Sequence, residues 1–482
     1  MTFFLPTELK NILPGTKFLE RTKFYIDAVA QLPYFYAQVE ISLLYKERTN
    51  MNGTRILLII VMPLSLIGIC HAGDEQGDTT GLSSSIWERE TLTDGFFGLS
   101  DELADKGIEV GLGVTSIYQQ NVRGGISKHR RAGRLSGSYD LELSADLQKL
   151  LGIEGGSLYV HTEGVWSKSA GIDAPSVGSA FGVNGDARAR RSIDVTELWY
   201  EQALWDDSLR IRLGKMDLTG GFEHHGCPVA FDCSNYANDE TAQFLNGALI
   251  NNPTIPFPDH GLGVAVHYSP ARIWYISAAV ADAQADIRET GFRTTFHGED
   301  YFFYIFETGI TPQFDSDKGP LQGAYRVGLW YDPQPKANSD YAAAGKTYRD
   351  DAGFYLSCDQ LLAKENAADE DRQGLGAFFR YGYANSKRND IANFWSAGFQ
   401  YQGLLENRDD DILGLGFAQG IFSNKASSTY TDDYENVFEL YYSAAVTPWL
   451  NISPSIQYIA NPGGDKTAGD AVVLGMRIQM TF

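Results

Sequence analysis

The end of the chain alternates between apolar and polar positions. In the segment DAVVLGMRIQMTF, Asp470 to Phe482, only Val473 breaks the alternation. One side of an extended strand would carry Val472, Leu474, Met476, Ile478, Met480 and Phe482, and the other Val473, Gly475, Arg477, Gln479 and Thr481. Such a strand either packs one face on a soluble core or belongs to a membrane barrel, where the apolar face meets lipid and the polar face meets the lumen.

The same alternation predicts sixteen strands from Lys106 onward. We place them at 106–122, 134–148, 156–167, 191–204, 208–217, 261–269, 271–282, 300–311, 320–331, 350–361, 374–385, 393–403, 410–422, 434–446, 450–460 and 470–482. A closed bacterial barrel of antiparallel strands requires an even number. The segment 241–252 also looks like a strand and would make seventeen, but we assign it to the loop before 261.

The connections between these strands are long and short in turn. Long connections are predicted near 123–133, 168–190, 218–260, 283–299, 332–349, 386–392, 423–433 and 461–469, and the short ones include WDDS, SP, LLENRD and TPW. This arrangement is typical of outer-membrane barrels, with short turns and both termini on the periplasmic side. The sequence therefore predicts an all-β fold, a transmembrane antiparallel β-barrel that occupies 106–482.

The composition agrees with a barrel rather than with a bundle of membrane helices. The mean hydropathy of −0.23 is too polar for such a bundle. The 13% of aromatic residues and the 50 glycines are typical of transmembrane barrels, because half of each strand faces water and aromatic rings gather at the membrane interfaces. The net charge of −22 makes nucleic acid and anionic lipid poor partners.

A secretory signal peptide is predicted at 51–72. One basic residue is followed by an apolar run too short to span a membrane as a stable helix, and then by a cleavage site that we place after Ala72. The alternative, a single membrane anchor, is disfavoured by the short run and by Pro63. Because a signal peptide does not normally follow a mixed leader, we expect translation to start at Met51 and residues 1–50 not to be translated.

The mature chain is expected to begin with a periplasmic segment, 73–105, ahead of the barrel. In this segment the sequence SDELADKGIEV predicts a short helix, which Ser100 caps and which carries Glu102 in its first turn.

Two cysteines lie six positions apart, at Cys227 and Cys233, in an irregular stretch. In an oxidising compartment this spacing predicts a small disulfide-closed loop, and Cys358 is left unpaired. The alternative is a metal site formed by this pair together with His224 and His225, but true zinc sites have tighter and more regular spacing. We therefore expect no metal and no cofactor.

Enzymatic signatures are missing from the sequence. It contains no G-x-x-x-x-G-K phosphate loop, no H-E-x-x-H and no G-x-S-x-G. The chain is not expected to be an enzyme, although a barrel that acts on lipid or peptide remains an alternative.

Strand parity directs several charged residues into the lumen. In LRIRLGK the leucines share one face with Ile211, so Arg210 and Arg212 point inward if the leucines meet lipid. The same reasoning adds His161, Glu163, Arg326 and Arg380 as candidate pore-lining residues. Arginines opposite carboxylates across a narrow opening create a strong transverse field, and polar groups beside aromatic rings suit a neutral polyol.

The third loop, 218–260, is far longer than the other connections. A loop of this length without its own secondary structure is usually functional or disordered, and the prolines of NNPTIPFPDHG make disorder unlikely. We expect it to fold inward against the wall that carries Arg210 and Arg212.

Several stretches resemble the carbohydrate-selective porins of Gram-negative outer membranes, the OprB-type group. They are LTDGFFGLSDELADKGIEV, ELWYEQALWDDSLRIRLGKMDL, FLNGALINNPTIPFPDHGLGVAV and the Phe-terminated last strand, and the resemblance runs from Leu92 to Phe482. It implies a sixteen-stranded barrel, passive diffusion of sugars, an inward third loop and a constriction of arginine and acidic residues. It also implies recognition by the barrel-assembly machinery through the last strand. The usual Trp-Gly-Gly-Leu-Arg near the mature start is here FFGLS, so nothing is transferred to the periplasmic segment.

The resulting hypothesis is an outer-membrane channel in contact with lipid, through which mono- and small oligosaccharides diffuse into the periplasm. A general or anion-selective porin is the alternative. The sequence leaves open which sugar passes and whether the barrel is a monomer or a homotrimer.

Overall fold

The computed structural model divides the chain into two units, Met1–Gly81 and Leu82–Phe482. It describes 85–482 apart from 166–170, 188–191, 239–242, 338–346, 368–370 and 426–429, and it also describes 17–18, 43–49 and 55–61. In the first unit, Lys17–Phe18, Leu43–Thr49 and Arg55–Val61 form an antiparallel sheet. Most of the predicted leader and signal peptide, including the cleavage position after Ala72, lies outside the described residues.

The second unit is a closed barrel of sixteen long antiparallel strands, which confirms the predicted fold. The strands are β1 (Ile108–Gly125), β2 (Gly133–Asp146), β3 (Gly156–Val165), β4 (Ser192–Leu204), β5 (Leu209–Met216), β6 (Gly261–Ala271), β7 (Trp274–Asp282), β8 (Phe302–Ile310), β9 (Leu321–Asp332), β10 (Asp351–Lys364), β11 (Gly374–Tyr383), β12 (Ile391–Gln402), β13 (Ile412–Phe422), β14 (Tyr434–Thr447), β15 (Leu450–Ala460) and β16 (Gly469–Thr481). Neighbours in the chain are neighbours in the barrel, and β16 closes it by pairing with β1.

The last strand shows how the two faces of the wall are used. Leu474 is 45% exposed on the outside, whereas Arg477 on the inside is 1% exposed. Val473, which breaks the alternation, is also buried on the inside, in an apolar cluster with Val183 and Leu249 of the long loops. The apolar face is therefore directed outward, and the interior of the barrel is partly filled by loops.

The connections at one end of the barrel are longer over most of its circumference, but two that were predicted to be long, 126–132 and 384–390, are shorter than the turns beside them, 147–155 and 403–411. We call the connections after β1, β3 and β5 loops 1, 2 and 3, with loop 2 at 166–191 and loop 3 at 217–260, and we call 283–301 loop 4. Loop 3 contains a small hairpin, Phe222–His224 with Cys227–Val229, and a short helix, Gly247–Ile250. The segment considered as a seventeenth strand thus contains a helical turn instead, and it belongs to loop 3.

A helix of Asp94–Asp105, here α1, precedes the barrel. Its first residues, Gly95 to Gly98, have left-handed backbone angles, with φ from 54° to 86°, so the right-handed turns begin only after Gly98. The hydroxyl of Thr93 accepts the N–H of Phe96 at 3.1 Å, and the cap at Ser100 stays a prediction. Three shorter helices follow, α2 (Leu147–Leu151), α3 (Gly247–Ile250) and α4 (Phe292–Thr295). In the part of the chain that the structure describes, no helix is both long and apolar enough to cross a membrane.

Candidate functional site

A buried carboxylate on β8 holds the first half of loop 3 against the inner wall. Glu307 accepts the backbone N–H groups of Ala230 at 2.9 Å and Asp232 at 3.1 Å. The hydroxyls of Tyr275, on the adjacent strand β7, and of Tyr355, on β10 two strands away, donate to the same carboxylate at 2.5 and 2.7 Å. All four of these groups are hydrogen-bond donors, and the carboxylate of Glu307 is the acceptor of each. The two backbone N–H groups among them fix loop 3 to β8.

The second half of loop 3 is held in the same way on β14. Glu439 accepts the N–H groups of Leu245 and Asn246, both at 2.9 Å. The side-chain amide of Asn246 donates to Gln457 on β15 at 3.0 Å, and Arg477 on β16 donates to the carbonyl of Gln243. The wall thus holds the first half of loop 3 at β8 and the second half at β14 to β16.

Two arginines lie beneath the middle of the loop. Arg326 on β9 donates to Asp359 on β10 at 3.0 Å and to the carbonyl of Pro228 at 2.7 Å. Arg380 on β11 donates to the carbonyl of Leu249 at 2.7 Å and to two further loop carbonyls. Each of these acceptors is a carbonyl of loop 3 or a neighbouring carboxylate. Both arginines therefore hold loop 3 against the wall by hydrogen bonds.

Inward-facing glycines make room for the loop. A Cβ on Gly416 would lie 2.8 Å from side-chain atoms of Phe244 and Leu249, and a Cβ on Gly382 would lie 2.0 Å from the hydroxyl of Thr254. Loop 3 therefore packs against the backbone of β11 and β13 rather than against their side chains.

Loop 2 joins the same assembly through the residues described between 171 and 187. Glu435 on β14 accepts the N–H of Ala180 at 2.9 Å. The N–H of Gly247 in loop 3 donates to the carbonyl of Gly182 in loop 2 at 3.1 Å. The two loops are therefore in direct contact.

The beginning of loop 3 rests on a charged group at β4 and β5. Glu201 accepts from Arg210 at 2.8 Å and from Arg212 at 3.0 Å. Arg212 also donates to the carbonyl of Gly221 at 3.0 Å, and its guanidinium lies 4.0 Å from the ring centroid of Trp199. The guanidinium of Arg212 is therefore enclosed by Glu201, Gly221 and Trp199, while the side chain of Arg210 remains 27% exposed.

The ends of loop 3 are joined to each other by His260 and Asp217, 3.2 Å apart. Burial lowers the pKa of His260, but the hydrogen bond and charge of Asp217, with the charge of Glu197, raise it by more, so the pKa lies above its ordinary value. Burial raises the pKa of Asp217, but the hydrogen bonds from His260 and Thr219 and the charge of His260 lower it by more. The pKa of Asp217 therefore lies below its ordinary value. Both shifts favour the charged pair.

The part of the wall formed by β2 and β3 carries none of the loop 3 contacts described above. His161 there lies 3.5 Å from Asp140 and bonds the hydroxyl of Thr196 at 2.9 Å. Glu163 pairs with Asp140 in strand register, and the rings of Tyr159 and Trp199 stack with centroids 4.8 Å apart. Carboxylates, a histidine and aromatic rings thus share one side of the lumen.

At the end with the short turns the lumen widens into a cavity of about 1080 Å³. Its lining includes Glu109, Asp146, Glu201, Arg210, His224 and Arg272. A mixed polar vestibule therefore follows the charged group at β4 and β5.

Comparison with known proteins identifies the family of this barrel. The profile described as "Carbohydrate-selective porin, OprB family" matches residues 130–482. The chain belongs to the OprB family. Porin B of Pseudomonas aeruginosa is 24% identical over 423 residues, which cover 80% of this chain and 90% of Porin B. The putative porin QuiX of Acinetobacter baylyi is 22% identical over 442 residues, which cover 84% of this chain and 97% of QuiX.

A solved structure shares the fold. The high-pH structure of Pseudomonas putida OprB superposes with a TM-score of 0.70 at 20% identity, covering 83% of this chain and all of that one, 100%. As an OprB-family porin, the chain is a barrel of the Gram-negative outer membrane, and it is a channel rather than an enzyme.

The structure of this OprB-family chain corrects two of the predicted pore-lining positions. Arg326 and Arg380 do face the interior, but they are only 4% and 2% exposed because loop 3 covers them. Strand parity alone could not show this, since it predicts whether a side chain points into the barrel but not whether a loop covers that side chain. For Arg210, Arg212, His161 and Glu163 a role in the constriction stays a prediction.

The predicted disulfide is also corrected. Cys227 and Cys233 are thiols in the structure. The sulfur of Cys233 bonds the carbonyl of Thr219 at 3.0 Å, and burial raises the pKa of the Cys227 thiol to about 11, so that this thiol stays protonated. Among the described residues no group of three or more His, Cys, Asp or Glu side chains is placed to hold a metal ion.

Sequence analysis missed the carboxylates that hold the loops, namely Glu201, Glu307, Asp359, Glu435 and Glu439. A signal for one of them was present. In FFYIFETGI, the sequence of β8, Glu307 is the only charged residue, and its parity with Phe303 and Ile305 places an isolated charge on the inward face. A single carboxylate in an otherwise apolar strand indicates a buried acceptor that needs donors from elsewhere in the fold.

Proposed function

We propose that mono- and small oligosaccharides diffuse passively through the space between loop 3 and the wall of β2 to β5. The family profile over residues 130–482, together with a lumen that loop 3 narrows, carries this proposal. The name of the relative Porin B is consistent with a channel, and no chemical step is required.

The exposed groups along this path suit a neutral polyol. The side chain of Arg210 is 27% exposed and that of His161 is 18% exposed, with the carboxylate of Asp140 beside the histidine. Sugar hydroxyls both donate and accept, so a surface that offers carboxylates and cations together can replace water around them. We assign Arg210 and His161 to the constriction on this basis, and Arg212 and Glu163 on the inward parity of their strands.

The covered arginines argue against an anion-selective channel. Arg326 is paired with Asp359, and Arg380 lies 3.3 Å from the carboxylate of Asp232. Neither guanidinium can offer an uncompensated charge to a passing anion, because both are buried under the loop. A general porin without sugar preference is the remaining alternative.

Maturation and assembly complete the proposal. Translation starts at Met51, the signal peptide 51–72 is removed, and 73–105 with α1 lies in the periplasm. The last residue, Phe482, donates its N–H to the carbonyl of Leu112 at 2.9 Å at the barrel seam, where the assembly machinery would engage the terminal strand. N-terminal sequencing of protein extracted from outer membranes tests the start, since residues before Met51 would contradict it.

Liposome swelling with the purified porin, across a size series of neutral sugars and sugar acids, tests the transport proposal. We expect neutral mono- and disaccharides to enter faster than uncharged non-sugar solutes of equal size. Equal rates for sugars and size-matched solutes would identify a general porin, and faster entry of sugar acids would identify an anion-selective one.

A further inference from the structure

A lysine on β5 points toward the lipid side of the wall. Leu213 is 56% exposed on that side, and Lys215 is the next residue of the same parity. Its neighbour across the strand pair is Leu262, which shares the outward parity of Val264, 40% exposed. A lysine in such a position is unfavourable if its ammonium meets hydrocarbon. Nevertheless Lys215 is only 5% exposed.

Loop 4 covers this lysine from the outside of the barrel. The ammonium donates to the carbonyl of Val195 on β4 at 2.7 Å, and to the loop 4 carbonyls of Ile287 and Glu289 at 2.6 and 2.7 Å. An ammonium has three N–H donors, so each of them has an acceptor. Lys215 therefore attaches loop 4 to the outer surface at the rim where the long loops leave the barrel.

Three further contacts fix the same loop. The N–H of Ile287 donates to Asp259 at 3.1 Å, and the hydroxyl of Thr295 donates to Asp282 at 2.8 Å. Gly291, with a φ of +94°, lies so close to Leu262 that a Cβ would come within 2.7 Å of its Cγ. The loop is thus packed on an outward-facing leucine.

The helix α4 follows directly, with one aromatic ring at its first residue, Phe292, and another just after its last, at Phe296. Phe292 and Phe296 are 65% and 68% exposed, and their rings stack with centroids 6.4 Å apart. They lie on a segment that Lys215 and Leu262 hold against the lipid-facing side of the wall.

We propose that loop 4 is a membrane anchor whose Phe292 and Phe296 enter the lipopolysaccharide of the outer leaflet, at the boundary between acyl chains and head groups. Aromatic side chains are favoured at this depth, and the long loops of such barrels emerge on the outer side. A second copy of the chain fits less well, since a stable interface needs about 800 Å² on each partner and two rings at the two ends of one helical turn present far less. The anchor keeps the rim of the barrel at a fixed height in the leaflet.

Photo-crosslinking in intact outer membranes tests the anchor. The full-length porin would carry p-benzoylphenylalanine in place of Phe292 or Phe296, with Leu213 as the lipid-facing reference and Leu151, 70% exposed on the short-turn side, as the opposite reference. We expect lipopolysaccharide adducts from 292 and 296 in yields within about threefold of those from 213, and none from 151. An adduct of twice the chain mass, or no adduct from 292 and 296 while 213 gives one, overturns the proposal.

The variant Lys215→Met tests the attachment. It keeps an apolar outward side chain but removes all three carbonyl contacts, so the lipopolysaccharide yield from 292 should fall at least fivefold while that from 213 stays unchanged. Gly291→Val, which would clash with Leu262, should have the same effect and serves if the first variant assembles poorly. An unchanged yield from 292 in heat-modifiable, folded protein would show that these contacts do not position the anchor.

Discussion

The carboxylate of Glu439 accepts the backbone N–H of Leu245, 194 positions earlier in the chain, at 2.9 Å. Its second oxygen accepts the next N–H, from Asn246, at the same distance of 2.9 Å. Glu307 binds Ala230 and Asp232 in the same manner. Loop 3 is therefore positioned by carboxylates that accept hydrogen bonds from its N–H groups, together with the arginines that donate to its carbonyls. The width of the passage depends on both sets of contacts.

The first prediction replaces this acceptor by its amide in Glu439→Gln. One N–H of loop 3 then faces an NH₂ group, and a buried donor without an acceptor costs about 1–3 kcal/mol. We expect the 243–246 segment to loosen, so that single-channel conductance increases and larger oligosaccharides enter in liposome swelling. The barrel should remain heat-modifiable, because the strand pairing is untouched.

Glu406→Gln is the matched control, since this glutamate is exposed in the short turn between β12 and β13. It should behave as the parent does. If Glu439→Gln had the parent's conductance and size limit, loop 3 would be held by other contacts.

The second prediction concerns the glycines beneath loop 3. In Gly416→Val the new side chain would meet Phe244 and Leu249, whose atoms already lie 2.8 Å from the position of its Cβ, so the loop must move inward or detach. We expect altered conductance and faster cleavage of loop 3 by chymotrypsin, which cuts after the Phe, Tyr and Leu residues that the loop contains. Gly111→Val, at a position with no atom within 4 Å, should leave the susceptibility of loop 3 to chymotrypsin unchanged. Equal cleavage rates in the two variants would contradict the packing.

The third prediction separates the two arginines of β5. Arg210→Ala removes a partly exposed group and should change sugar flux, with a stability loss below about 1 kcal/mol. Arg212→Ala removes a surrounded guanidinium from Glu201 and Gly221, and should cost about 2 kcal/mol in addition to altering flux. Swelling assays and denaturant titrations measure both quantities. The assignment fails if Arg210→Ala leaves sugar flux unchanged, or if Arg210→Ala is the more destabilising of the two.

The fourth prediction is a pH dependence at the ends of loop 3. The pKa of His260 is raised, so the stabilisation from its pair with Asp217 is fully present below the unfolded value of about 6.5 and is lost as pH rises through the folded value. The pKa of Asp217 is lowered, so its contribution is present above about pH 3.9 and is lost as pH falls through the folded value.

The difference in thermal midpoint between the parent and His260→Gln should therefore be largest near pH 5 to 6 and should shrink toward pH 9. Asp259→Asn, which leaves the pair in place, provides the control for a nearby change of charge. A difference that does not vary between pH 5 and 9 would show that the pair is not charged in the folded protein.

Much of the fold could be predicted from the sequence because a barrel wall obeys a local rule. Strand β16 needs only a period of two to separate Leu474 from Arg477, and loop lengths then give the side of the membrane. The interior does not follow such a rule. Whether Arg326 faces water or lies under a loop depends on the path of residues about a hundred positions away, such as Pro228.

Lys215 shows the same limit on the outside of the barrel. Its parity in LRIRLGK places a charge on the lipid face, which conflicts with the barrel pattern. The conflict is resolved only by the carbonyls of Ile287 and Glu289, more than seventy positions later. Local patterns thus predicted the wall, while the contacts that fill and cover it depend on tertiary structure.

The partners that hold the second half of loop 3, Glu439, Gln457 and Arg477, belong to the last three strands to be synthesised. Contacts between segments so far apart in the chain form late, because the intervening chain must first be ordered. Until β14 to β16 join the sheet, the loop has no acceptors for Leu245 and Asn246. Closure of the barrel and narrowing of the passage by loop 3 are therefore the same event in biogenesis. A barrel that stalls before its final strands would have an open sheet edge and also a pore that loop 3 does not constrict.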